Sequence, residues 1–326
     1  MPLGQYEITA LELLAEFQKF SAGVISGPAL KPANRSAFHW PPHSVAVDYH
    51  VQASEWTETL DLEIEGERHA VRLAYTRNGV FGQMPDFGND ARADSAEKVL
   101  KKLAEGVKPL FRRQRELATL LGLPGRYTER ISTLSPVGLV RLLYAADRDI
   151  SHQACVEIES HASTAVFGPT LVAVLSDTSH PHRRAAQWAV LDLFEDLSSY
   201  FPSVEAQAAA IEAIRNLMWE APEDYARTIY KAGVVLGGHI CTEASAAVLL
   251  ECFEAPSKFA RRSAIHASFH LVEWMPEAKD AVLAGLQRLA ESDPDGILQA
   301  YADGMASDIA RGLTDHIDDV FFPEEQ

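Results

Sequence analysis

The 326-residue chain is 47% apolar, enough for a sizeable core, which excludes wholesale disorder. No apolar run approaches the roughly 18 to 20 residues that span a bilayer, and Met1–Glu7 lacks the basic and apolar regions of a secretory signal. Cys155, Cys241 and Cys252 stand at spacings that suit neither a disulfide framework nor a metal knuckle, so a reduced cytoplasmic protein is expected.

The net charge of −17 is unevenly placed: residues 1–130 hold 16 Lys and Arg against 17 Asp and Glu, and residues 131–326 hold 13 against 29. A field of that sign repels phosphate backbones and anionic lipid and attracts basic segments. Nucleic-acid and membrane partners are therefore not expected, and another protein with a basic or mixed-charge segment is.

In chain order, residues 6–22 predict an amphipathic helix, with Leu11, Leu14, Phe17 and Phe20 at helical spacing and Thr9-x-x-Glu12 as a capping box. A Pro- and Gly-rich loop follows. Val45, Val47, Tyr49 and Val51 then alternate with period two, as do Trp56, Leu60, Leu62 and Ile64 and, after Glu65-Gly66-Glu67, residues 70–75. Asn78-Gly79 marks a hairpin into a short strand at Val80-Phe81. A long helix is expected over 93–121, carrying Val99, Leu103, Val107, Leu110 and Leu117 on one side and a basic run from Lys101 to Arg115. The first domain, 1–124, thus reads as a small α+β unit: an antiparallel meander flanked by helices.

From 130 to 326 the pattern is helical throughout. Gly168 to Leu197 holds an apolar helix ending at Asp177, a Pro turn, and a second helix opened by Arg183 with Ala185, Ala186 and Ala189. Arg261 opens a similar stretch 78 residues later, and Arg227 falls 44 residues after Arg183 and 34 before Arg261. A further stretch, 147–162, has Gln153 where Arg is expected. Five helix pairs result, over about 135–162, 168–200, 203–240, 242–275 and 277–312, the last a cap with Asp-Pro-Asp-Gly at 293–296.

These residues resemble the HEAT-like repeat family, whose units have a period of about 40 residues. The resemblance implies a mainly α protein, an α-α solenoid of about five pairs. It also implies that Asp177, Arg183, Arg227 and Arg261 are structural residues that bond turns and neighbouring acids. The functional expectation is a non-enzymatic interaction scaffold with an acidic repeat surface. Its candidate partner-binding residues are His182, Trp188, Trp219, His266, His270, Glu273 and Trp274.

The second expectation is a cofactor- or metal-handling enzyme, since the family includes bilin-lyase-type and iron-dependent hydroxylase members. The hydroxylase His-Glu dipeptide does not occur in this chain. His266, His270 and Glu273 share one helical face at i, i+4 and i+7. No catalytic residue, metal or cofactor is assigned. Cys155, with His152 three residues before it, is weighed as a nucleophile and read instead as a packing thiol.

Overall fold

A computed structural model describes residues 8–23, 58–220 and 225–312. The chain divides into two compact units, Pro32–Thr133 and Met1–Lys31 together with Leu134–Gln326. The alternating stretch Val45–Val51 lies outside the described residues, as does Trp56.

In the first unit, β1 (Glu58–Ile64), β2 (Glu67–Thr76), β3 (Gly79–Met84) and β4 (Asn89–Ala93) form an antiparallel meander in sequence order. Glu65 and Gly66 both have positive φ, as the central residues of a type I′ turn require. The fourth strand, for which the sequence pattern gives no signal, ends at Ala93, the residue at which the helix is expected to start. That helix, α2 (Ala96–Leu121), starts three residues later, with the Ser95 hydroxyl accepting from the Lys98 N–H. Its apolar face runs Val99, Leu103, Val107, Phe111 and Leu117, with Phe111 rather than Leu110 in the buried position. That face closes over Ile64, Val71, Leu73, Val80 and Met84. A Cβ on Gly82 would stand 2.3 Å from Val99, so the third strand approaches α2 only because a side chain is missing. Below the helix, the Arg126 guanidinium lies 3.7 Å from the Phe111 ring centroid and ion-pairs with Glu67.

The second unit is mainly helical and begins with α1 (Ala10–Ser21), whose Thr9–Glu12 capping box forms as expected. The structure places this helix in the helical unit rather than beside the sheet, where a 1–124 domain would put it. Phe20 meets Tyr144 edge-on at 5.5 Å, and α1 packs on α3 (Pro136–Leu142) and α5 (Gly168–Leu175). The remaining helices are α4 (Arg148–Glu159), α6 (Arg183–Leu193), the single turn α7 (Leu197–Tyr200), α8 (Val204–Glu220), α9 (Ala226–Val234), α10 (Glu243–Cys252), α11 (Lys258–Trp274), α12 (Lys279–Ser292) and α13 (Gly296–Arg311). Along the chain α3 packs on α4, α5 on α6, α8 on α9, α10 on α11 and α12 on α13. The second members also meet in order, α4 on α6, α6 on α9, α9 on α11 and α11 on α13.

Polar bonds tie each pair to the next. Tyr144 donates to Asp177, Cys155 to the Ala189 carbonyl, Arg215 to Glu251 and Ser263 to the Ile229 carbonyl, with sequence separations of 33, 34, 36 and 34 residues. Arg261 Nε donates to Asp293 Oδ2 at 2.7 Å across 32 residues, and its Nη1 donates to the Ala255 carbonyl of the preceding turn at 2.7 Å. Two glycines, Gly233 and Gly237, face Ser263 and Ala267, where a Cβ would stand 2.1 Å from the Ser263 hydroxyl and 2.5 Å from the Ala267 carbonyl oxygen. The stretch around them continues α9 as a π turn over Val235–Ile240 and stops at Cys241 in the left-handed region.

The expected structural arginines divide. Arg261 bonds both the preceding turn and the next acid. Arg183 bonds its turn through Nη1 to the His180 carbonyl at 3.2 Å, while Asp177 holds the same turn by its N–H groups. Arg227 is exposed on α9. Removing the Asp293 carboxylate with Asp293→Ala strands a buried guanidinium. We expect it to lower the unfolding free energy in urea titrations by about 3–5 kcal/mol. Glu254→Ala, which removes an exposed carboxylate 3.7 Å from Arg288, should change it by less than about 1 kcal/mol.

Candidate functional site

Two buried polar clusters and one set of exposed aromatics stand out in the helical unit. The first cluster sits where α1, α3 and the α5–α6 turn meet. Asp177, buried at the end of α5, accepts from the Ser179 N–H at 2.8 Å, the Ser179 hydroxyl at 2.7 Å and the Tyr144 hydroxyl at 2.8 Å. Burial acts to raise the Asp177 carboxyl, but the bonds from Ser179, Tyr144 and His180 outweigh it and hold the group below its ordinary 3.8. Tyr144 is pushed the other way, first by burial and then by the facing carboxylate. His180 stacks on Phe20 and meets Tyr144 edge-on, and burial lowers its imidazole. Asp177 thus ties its own turn to Tyr144 of the preceding pair, and the arrangement is a clamp. Its neighbour His182 is exposed, and its N–H donates to His180 Nδ1 at 3.1 Å.

The second cluster lies along α11. His266 is only 5% exposed. Its Nε2 stands 2.8 Å from the Tyr230 hydroxyl on α9 and 3.3 Å from His270 Nε2, and its Nδ1 is 3.4 Å from the Tyr301 hydroxyl on α13. The Arg262 guanidinium, also buried, lies over the Tyr230 ring at 5.2 Å and donates to the Ala226 carbonyl at 3.3 Å. His270 and Tyr230 are half-buried and form the outer side of the cluster. Of the trio His266, His270 and Glu273, the structure brings together the two imidazoles only. Glu273 is exposed near the end of α11. Among the described residues no group of three or more His, Cys, Asp and Glu is placed to hold a metal.

Sequence reasoning did not single out Tyr230, Tyr301 or Arg262 as partners of His266. The signal was their offset: Tyr230 precedes His266 by 36 residues and Tyr301 follows it by 35, the same interval that separates the other bonded neighbours.

The aromatics differ from one another. Trp274 is 65% exposed and Trp188 is 36% exposed. Trp219 is half-buried beneath the Arg215 guanidinium, 5.3 Å from its ring centroid. Val156 on α4 and Ile297 on α13 are exposed as well. Cys155 is buried, and its thiol is pushed up to about 12, chiefly by burial. An activated nucleophile needs the opposite shift.

No family model matches the chain, and no curated protein or solved structure is significantly similar to it. Among the described residues no helix is long and apolar enough to cross a membrane.

The Asp177 clamp has a pH signature. Because the folded-state pKa is depressed, its contribution to stability is complete above the ordinary carboxyl value and is lost as pH falls through the folded value. Denaturant titrations between about pH 5 and pH 3 should therefore show a steeper loss for the native sequence than for Asp177→Asn. Equal slopes would remove Asp177 from the acid-labile groups.

Proposed function

We propose that the helical unit is a HEAT-like stack of five pairs that acts as a non-enzymatic scaffold, holding a basic segment of a partner protein. The observation that carries this reading is the exposure of Trp188 and Trp274 on α6 and α11, two of the second helices that contact one another in order. Large aromatics left in water on a helical face cost the free protein solvation and repay it on binding. The nearly constant interval between bonded neighbours, 32 to 36 residues, supports the repeat reading, although it is shorter than the family's period of about 40.

Charge selects the partner. Glu159 closes α4, Glu195 and Asp196 follow α6, and Glu273 precedes Trp274, all of them exposed. Glu159 and Glu273 lie at the C-terminal ends of α4 and α11, where the macrodipole is already negative, so the two fields add, while Glu195 is paired with Lys231. Lys or Arg side chains fit both the acids and the indole faces, over which a cation is held electrostatically. The His266 cluster is the observation that favours the second class, a metal-handling protein.

The test is affinity purification of the full chain from its source cells, comparing it with a Trp188→Ala/Trp274→Ala double variant. A stoichiometric partner should be retained by the native chain. Each Trp substitution should weaken that partner's binding by roughly 30-fold, equivalent to about 2 kcal/mol. Trp274→Ala alone should change the chain's own stability by little, whereas Trp188, 36% exposed, also packs against its neighbours, so binding is compared with the single Trp274→Ala variant and at matched folded fraction. A partner held equally by both chains would displace the site from these tryptophans, and the absence of any reproducible partner would overturn the scaffold reading.

A further inference from the structure

The geometry points to a site for one divalent transition-metal ion at His266, His270 and Tyr230, a donor set that differs from the His266–His270–Glu273 trio legible in the sequence. The two histidines stand at i, i+4 on α11, the spacing by which one helix presents two imidazoles to one ion. Their Nε2 atoms are 3.3 Å apart. Two nitrogens bound to a tetrahedral zinc at about 2.0–2.1 Å lie roughly 3.3–3.4 Å apart, so the pair already has the length of a coordination edge. The Tyr230 oxygen, 2.8 Å from His266 Nε2 and so at hydrogen-bond length, supplies a third donor from a different helix once that contact opens by about 0.5 Å to a coordination edge.

A neutral imidazole with its proton on Nδ1 has one lone pair on Nε2. The Tyr230 hydroxyl and His270 Nε2 both lie within hydrogen-bond distance of that one ring nitrogen. A cation lets all three groups use their lone pairs at once. Tyr301 suits the tautomer this requires: its hydroxyl oxygen lies 3.4 Å from His266 Nδ1 and can accept that nitrogen's proton in a hydrogen bond, so that Nε2 coordinates. Such an outer partner on the second ring nitrogen is the usual companion of a metal-bound histidine.

As the metal–oxygen bond forms, the Tyr230 phenolic proton passes to solvent, and the Arg262 guanidinium over the ring provides a counter-charge to the phenolate. Imidazole with phenolate suits zinc, cobalt, nickel or copper rather than magnesium or calcium, which prefer all-oxygen shells. With three protein donors, the fourth position falls to water on the side where His270 and Tyr230 are half-exposed.

The test uses the full chain, stripped with a chelator and titrated with zinc and with cobalt. One equivalent of each should bind, and cobalt should give the visible bands of a four-coordinate site. His270→Ala should abolish those bands, and Tyr230→Phe should weaken zinc binding and change the cobalt spectrum. Tyr301→Phe should lower affinity by roughly 10- to 100-fold while keeping the band pattern. Glu273→Gln should bind as the native chain does. Circular dichroism of each stripped variant separates lost binding from lost fold, and His270 and Tyr230 are chosen because both are partly exposed. No saturable one-to-one binding by the native chain, an unchanged cobalt spectrum in His270→Ala, or loss of the bands in Glu273→Gln would each overturn the assignment.

Discussion

The buried polar bond between one helix pair and the next sets the order of the helical unit. Apolar faces bury well in more than one register, because dispersion and hydrophobic burial are non-directional. A guanidinium such as Arg261, or a hydroxyl such as Ser263, is satisfied in one register only. A slip of a single residue would leave a buried donor without an acceptor, at a cost of about 1–3 kcal/mol for a neutral group and more for a charged one. Where they occur, these bonds fix the relation of a pair to its neighbour while the alanines, glycines and leucines supply the bulk of the burial.

Asp177 and Asp293 show the device most clearly. Each follows the first helix of its pair, accepts the N–H two residues ahead, and accepts from a side chain in the preceding pair. In one case that side chain is a tyrosine and in the other an arginine. What is kept is the acceptor in the turn, and the donor varies. The same interval brings Tyr230 and Tyr301 to opposite nitrogens of His266, so the cluster on α11 grows from the scheme that holds the helices in place.

This explains what was legible in the sequence. Helix pairs could be read because Pro, Gly and Asp interrupt otherwise continuous apolar periodicity, and the capping box at Thr9 marks its helix start directly. Arg227 misled because its spacings of 44 and 34 residues conceal a change of phase. Arg261 is the fourth residue of α11, whereas Arg227 is the second of α9. Two positions are a rotation of roughly 200°, enough to carry a side chain from core to solvent. Glu273 lies on the face of His266 but two turns further on, near the helix end, where neighbouring elements no longer cover it. The fourth strand, Asn89-Asp-Ala-Arg-Ala, has no β-branched residue and takes its conformation from pairing with β3.

The dimensions of the His266 cluster are governed from a place outside it, where two glycines carry no side chain. Gly233 and Gly237 sit one turn apart against Ser263 and Ala267, also one turn apart, and the absence of two methyl groups lets the backbones of α9 and α11 meet. Tyr230 reaches the imidazole only because those helix axes are that near. A methyl group at position 233 would act as a wedge, lengthening the Tyr230–His266 contact from a distance without touching either ring. Selection on the cluster would therefore be felt first at two residues that have nothing to contribute to its chemistry.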